Sequence, residues 1–217
     1  MNGWRIFLAA SVITVLSHPL PAQDTQKETA SAVHKGDQWT YNDIDDITGN
    51  ARAILRFTVT EVSDKEIAVR SVRDRNGQSE LGLILYDLNW NETTDGDWKK
   101  LPRDSTGIEL PLAMGKEWHF KHRNQNTKTG VVINVTTSAR VVGQETMKVA
   151  SQQYDTFKIE SQIHQVLPQS GKSRDILIST WYAPAINRWV KRSWTLRSNG
   201  HIVDQHTHEL VEFLPAK

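Results

Sequence analysis

The segment GVVINVTTSARVV, residues 130–142, decides the fold class of this 217-residue chain. Its apolar side chains recur at every second position: Val131, Ile133, Val135, Ala139 and Val141. The positions between them are mostly polar, among them Asn134, Thr136, Ser138 and Arg140. Because successive side chains of a strand point to opposite faces, this period of two predicts a strand with one buried face.

The same alternation recurs along most of the chain. Comparable segments are residues 51–62, 66–75, 78–90, 115–122, 153–167, 174–182, 188–196 and 201–214. Asn76-Gly77 and Asn199-Gly200 predict tight hairpins, and short connections favour antiparallel neighbours. The best helical candidate is LGLILYDL, residues 81–88. We therefore expect nine to eleven strands, with at most one short helix.

The sequence thus predicts an all-β domain over residues 37–217. We expect a single antiparallel meander curled into a half-barrel or a clam-like curved sheet, since a wide flat sheet would leave one apolar face in water.

The segment 91–115 is long, polar and rich in glycine and proline. It is interpreted as a loop of the kind that often borders a binding site.

The first 22 residues have the composition of a signal peptide. Arg5 precedes an apolar run at residues 6–16, and HPLPA ends at Ala22, a small residue suited to cleavage. Residues 23–36 are predicted to form a flexible polar tail. No other stretch is apolar enough to span a bilayer, so we expect an exported protein, periplasmic or secreted, with no stable transmembrane segment after cleavage.

Charge and composition exclude several classes of function. The chain contains no cysteine, which rules out disulfides and predicts that it is not a cysteine-anchored lipoprotein. Without Arg5, 25 of the 26 basic residues remain against 25 acidic ones, so the net charge falls to zero. This balance argues against a nucleic-acid-binding protein. Nucleophile motifs and phosphate-binding glycine loops are absent, so neither an enzyme nor a cofactor is expected.

The segment WYAPAINRWVKRSW, residues 181–194, raises the question of an aromatic platform. Strict alternation places Trp189 and Trp194 on opposite faces of one strand, whereas single-stranded nucleic acid requires aromatic and basic groups on one surface. The segment is therefore interpreted as a hairpin whose tryptophans pack across strands.

Several of these motifs together resemble the TapB-like exported bacterial β-proteins, which are related to lipoprotein-carrier-like curved-sheet domains. The resemblance covers residues 36–214, although ASQQYDTF at residues 150–157 replaces a glycine-containing turn. It implies a curved-sheet fold and export, and it implies no catalytic residues. The matching residues are Pro111, Gly115, Trp118, Gly143, Glu145, Val149, Phe157, Trp181, Tyr182, Pro184, Val190, Lys191, Glu209 and Leu210.

The motif DQHTH supplies a candidate metal site. Asp204, His206 and His208 alternate along one strand face, and two imidazoles with a carboxylate suit zinc or copper. His201 or Glu212 is the candidate for a fourth ligand. The alternative interpretation is a solvated face or a final edge strand.

The leading functional hypothesis is a non-enzymatic periplasmic β-protein that binds a lipid or another hydrophobic molecule on its concave face. The candidate ligand-binding residues are Met114, Trp118, Phe157, Trp181 and Trp194. The same side chains would equally suit a closed core. A second hypothesis is an interaction module of the cell envelope, in which the final strand offers a free edge to a partner protein.

Overall fold

A computed structural model describes residues 31–217, so the predicted signal peptide and residues 23–30 lie outside it. Within this range the chain forms twelve strands and one 3₁₀ turn, Pro184–Ile186. No helix among these residues is long and apolar enough to cross a membrane. The strands are β1 (Gln38–Asp45), β2 (Ala51–Val62), β3 (Glu66–Arg75), β4 (Gln78–Asp87), β5 (Glu92–Asp95), β6 (Trp98–Leu101), β7 (Glu117–Asn126), β8 (Val132–Val149), β9 (Gln152–Val166), β10 (Ser173–Ala183), β11 (Arg188–Ser198) and β12 (His201–Leu214).

The twelve strands form one closed antiparallel barrel. Each strand pairs with its sequence neighbours, and β1 also pairs with β12 from Gln38 opposite Leu214 to Asp45 opposite His206. The predicted half-barrel or clam-like sheet is therefore wrong. One-sided burial is satisfied equally by an open curved sheet and by a closed one. Closure depends on pairing between the two ends of the domain, which alternation within a strand does not encode.

Two other predictions of secondary structure are also wrong. The helical candidate at residues 81–88 lies largely in β4, and the described residues contain no α-helix. The predicted loop at residues 91–115 contains β5 and β6, which complete the circle between β4 and β7. These strands are four residues long, which is too short for a period of two to be distinguished from irregular sequence.

The two ends of the barrel differ in construction. In an antiparallel meander successive connections alternate between the ends. The end that we call the hairpin end carries six connections: residues 46–50, 76–77, 96–97, 127–131, 167–172 and 199–200. The opposite end, the loop end, carries the segments 63–65, 88–91, 102–116, 150–151 and 184–187. The long polar segment of the sequence therefore covers the loop end.

The interior contains two apolar clusters. The larger one fills the part of the barrel near the loop end, where Trp90, Ile108 and Ile186 are contributed by three different connections. The smaller cluster is formed by Ile133, Val135, Ile163 and Ile178, with Trp98 and Trp194 packed against it. The loop end is thus closed by packed side chains.

A fully buried arginine lies inside the larger cluster. The Arg188 guanidinium carbon is 3.8 Å from the ring centroid of Trp189 and 4.0 Å from that of Trp90. It also lies over Trp39, Phe57 and Tyr86 at 5.2–5.4 Å. The hydroxyl groups of Tyr41 and Tyr86 interact with this cation. Attraction between the cation and the aromatic faces adds to its stabilisation.

The strand β11 is irregular where the sequence predicted strict alternation. Trp181 pairs with Lys191, but the next residue, Tyr182, pairs with Trp189, so Val190 is an extra residue on β11. This β-bulge resets the alternation. Trp189 and Trp194 consequently both belong to interior clusters, and the prediction that they face opposite sides is wrong.

The contact between two loops at the loop end generates a prediction. A Cβ atom on Gly107 would lie 2.3 Å from the Asn89 carbonyl oxygen and 2.5 Å from the Asn91 backbone nitrogen. Because both are backbone atoms, Gly107→Ala forces the loops apart, and we expect a loss of about 1–3 kcal/mol in urea unfolding. The control is Gly143→Ala, whose Cβ would meet only Lys158 Cβ at 3.7 Å. Equal unfolding midpoints for the two variants would contradict this packing.

Candidate functional site

Barrel closure brings an acidic residue of the first strand beside two histidines of the last. Asp43 on β1 pairs with His208 on β12, and His206 lies two residues before His208 on the same face of β12. One potential metal-ligating atom from each of the three residues lies within 4.8 Å of the others. The cluster Asp43, His206 and His208 is the candidate site of this protein.

Asp43 is fully buried, and only one of its two carboxylate oxygens has a hydrogen-bond partner among the described residues. Its Oδ2 forms an ion pair with Arg73 of β3. Its Oδ1 lies 3.7 Å from His208 Nε2 and has no hydrogen-bond partner among the described residues. A buried carboxylate oxygen without a partner costs free energy, so this atom is poised to accept a proton donor or a cation.

Asp204, the carboxylate predicted from sequence, has a different position. Its Oδ2 lies 2.8 Å from His206 Nδ1, and its Oδ1 accepts a hydrogen bond of 2.9 Å from Arg52 Nη1. Partial burial opposes ionisation, but the Arg52 hydrogen bond and the charges of His206 and Arg52 hold the pKa of Asp204 below its usual value. Asp204 therefore fixes the orientation of His206 and leaves the other ring nitrogen, Nε2, free.

Trp194 of β11 covers both histidines. Its ring stacks on His206 with centroids 4.8 Å apart and planes 15° apart, and it lies 4.4 Å from His208. Burial lowers the pKa of His208 to about 3, helped by the positive charges of His206, Arg192, Arg73 and Arg52. His208 is consequently a neutral imidazole at neutral pH, with a lone pair available.

A cavity of about 410 Å³ adjoins this cluster in the lumen. One part of its wall is apolar, formed by Leu55, Phe57 and Ile84, and the other part is charged and polar. The polar and charged lining residues are Ser71, Arg73, Glu80, Asp95 and His208. Arg73, Glu80 and Asp95 lie within three residues of hairpin turns, so the cavity extends toward the hairpin end.

The five ligand-binding residues predicted from sequence do not form one site. Trp118 and Phe157 are buried in the larger cluster, whereas Trp194 packs against the smaller one. Trp181 is half-buried, with Lys158 and Lys191 5.3 Å and 5.6 Å from its ring. Met114 is 57 % exposed on the segment between β6 and β7. Only Trp194 lies at the candidate site.

Two further predictions concerned β12: a fourth metal ligand and a free edge for a partner protein. His201 and Glu212 are exposed and do not belong to the cluster with Asp43. The strand pairs with β1 on one side and β11 on the other, so the predicted free edge is absent from the described barrel. Binding of an envelope partner stays a prediction, but it has no edge of β12 to use.

A second depression, of about 710 Å³, lies on the outer face of β7–β11. Its rim is formed by exposed side chains of the sheet, including His119, Lys121, Gln162 and His164. It contains none of the predicted site residues. The lumen cavity, by contrast, is lined in part by His208, which belongs to the candidate site.

Asp43 is the residue of the candidate site that the sequence analysis did not identify. It lies in YNDIDD, a polar segment with four closely spaced carboxylate or amide groups and no distinguishing spacing. The local signal was the placement of Asp43 on the apolar face defined by Trp39 and Tyr41, since a carboxylate there must be paired or functional.

Comparisons with known proteins identify the fold. A presumed lipoprotein from Parabacteroides distasonis superposes with a TM-score of 0.59 at 13 % identity, covering 88 % of this chain and 100 % of its own. A presumed exported protein with a YmcC-like fold from Bacteroides fragilis gives 0.57 at 14 % identity, covering 86 % and 99 %. The hypothetical lipoprotein YmcC from Escherichia coli gives 0.46 at 11 % identity, covering 84 % and 87 %. At these identities the likeness shows the fold alone.

No family model and no curated protein matches the chain. The TapB-like assignment is therefore not confirmed. The fold that this chain shares with the Bacteroides fragilis protein is described for that protein as YmcC-like. Because one structural neighbour is described as a lipoprotein, the fold does not distinguish anchored from unanchored proteins. That this chain is not a cysteine-anchored lipoprotein stays a prediction from its lack of cysteine.

A second buried imidazole in the lumen makes stability depend on pH. Burial, followed by the nearby charge of Lys100, lowers the pKa of His122 to about 4. As pH falls from 7, the unfolded chain takes up a proton near pH 6.5 while the folded chain does not, so folding loses stability. The loss from this one group reaches the order of 2 kcal/mol by about pH 4.5.

We therefore expect His122→Gln to lose less stability than the parent between pH 7 and about pH 4.5 in urea unfolding. The matched control is His119→Gln, because His119 is exposed on the outer face of the same strand. A His122→Gln variant whose acid sensitivity equals that of the parent would show that the imidazole is protonated in the folded state.

Proposed function

We propose that this protein is an exported, non-enzymatic binding protein that holds a small amphiphilic molecule in the barrel lumen. The observation that carries the proposal is the cavity of about 410 Å³, in which an apolar wall faces charged groups. The concave face of the leading hypothesis is replaced by a cavity inside the barrel, because the sheet is closed.

The lining of the cavity indicates the chemistry of its ligand. Leu55, Phe57 and Ile84 suit a short acyl or other apolar body, and the volume is within the range of small-molecule sites. Arg73 lies in the same wall with its side chain 40 % exposed, so it can contact a bound anion while it pairs with Asp43. A ligand with an apolar body and an anionic head fits both halves of the wall.

Export is supported by two independent features. The sequence of residues 1–22 has the charge, apolar length and small-residue end of a secretory leader. Two solved structures with a similar fold are described as a presumed lipoprotein and a presumed exported protein. Absence of nucleophile motifs from the sequence supports binding over catalysis.

A single substitution in the apolar wall can fill the cavity. Ile84 faces the lumen and packs against the larger cluster, so Ile84→Trp fills the apolar wall. We expect the parent protein to bind one equivalent of 8-anilinonaphthalene-1-sulfonate, a small aromatic body with an anionic head, with energy transfer from tryptophan to the probe. The Ile84→Trp variant should bind about tenfold more weakly or worse, a cost near 1.4 kcal/mol.

The matched control is Leu83→Trp, because Leu83 is the next residue of β4 and is 53 % exposed. It adds the same indole outside the barrel and should leave probe affinity unchanged. Equal weakening by both variants, or no saturable binding to the parent, would contradict a lumen site.

A further inference from the structure

We propose that Asp43, His206 and His208 bind one divalent transition-metal ion in the barrel lumen. The proposal is independent of the amphiphilic ligand, because it rests on the donor cluster and not on the cavity. Two imidazoles and one carboxylate form a donor set that proteins use for zinc and for other first-row ions with open coordination positions.

The separation of the donors suits a single ion. Metal–nitrogen and metal–oxygen bonds near 2.0–2.2 Å place tetrahedral ligand atoms roughly 3.3–3.6 Å apart. His208 Nε2 and Asp43 Oδ1 are already 3.7 Å apart, and the three donor atoms lie within 4.8 Å of one another. Closing the set around an ion requires the longest donor separation to shorten by about 1.5 Å at most.

Asp43 supplies the independent observation that points to a cation. Its side chain is fully buried, and its Oδ1 has no hydrogen-bond partner among the described residues. Arg73 occupies the other oxygen, Oδ2. A metal ion on Oδ1 would therefore satisfy a buried acceptor without displacing the arginine.

The surroundings of the histidines match those of metal ligands. Asp204 Oδ2 engages His206 Nδ1 at 2.8 Å, the carboxylate–imidazole contact that holds a ligating ring in place. Trp194 stacks on His206 and restricts its rotation. The sequence motif thus contributes two ligands and one orienting carboxylate, and β1 contributes the third ligand.

The nearby arginines do not exclude a cation. Arg52 is paired with Asp204, and Arg73 is paired with Asp43. Arg192 is the third arginine near His208, and the negative charges of Asp104 and Glu92 act on it. An open coordination position in this setting would favour water or an anionic group as the remaining ligand.

The test uses the chelator-treated full-length protein without a polyhistidine tag. Zn²⁺ is titrated by calorimetry, and Co²⁺ is titrated by visible absorption and by quenching of tryptophan emission. We expect one equivalent bound with a dissociation constant of about 1 µM or tighter, near −8 kcal/mol. Absence of saturable binding by the parent below roughly 100 µM would overturn the proposal, whatever the variants do.

Variants separate the two candidate ligand sets. Asp204 orients a ligand, so we expect Asp204→Asn to weaken metal binding by about 10- to 100-fold. His206 and His208 are ligands themselves, so His206→Gln and His208→Gln should each weaken it by more than that. Asp43→Asn should abolish binding, with folding checked by circular dichroism. If Asp43→Asn does not fold, Asp204→Asn decides between the sets, because complete loss of binding in that variant would make Asp204 a ligand and overturn the assignment of Asp43.

The matched control is His164→Gln. His164 Nδ1 lies 2.7 Å from Asp175 Oδ1, so it reproduces the histidine–aspartate pair, but on exposed side chains outside the candidate cluster. It should bind metal like the parent. A loss of binding in this control, or full binding in His206→Gln and His208→Gln, would overturn the assignment.

Discussion

Pairing between β1 and β12 is the constraint on which the rest of the structure depends. It joins Gln38–Asp45 to the last strand and removes both free edges of the sheet. It also creates the candidate site, because Asp43 and His208 are opposite each other only across this seam. Fold and candidate chemistry therefore have the same origin, a long-range pairing between the two ends of the domain.

The closed lumen is divided into two environments. Near the loop end, aromatic rings surround the fully buried guanidinium of Arg188. Toward the hairpin end, two carboxylates, one arginine and one imidazole line part of a cavity. The packed half supplies most of the buried apolar surface, which lets the other half hold charged groups whose burial is unfavourable.

The sequence predicted the strands well and their closure poorly. Alternation in residues 130–142 and the turn at Asn76-Gly77 identified long strands and a hairpin, because both signals are local. The bulge at Val190 and the short strands β5 and β6 gave no comparable signal. Of the predicted metal residues, the two histidines lie in the cluster, but the third member comes from β1, and only the barrel seam reveals it.

The path of the chain also sets the direction in which the cavity faces. The Ser31 backbone nitrogen bonds the Pro184 carbonyl oxygen at 3.0 Å, and Ala216 N bonds Asp37 Oδ1 at 2.8 Å. Both extremities of the described chain therefore meet at the loop end, opposite the side toward which the cavity extends. The described chain thus enters and leaves the barrel on its packed side, away from the side toward which the cavity extends.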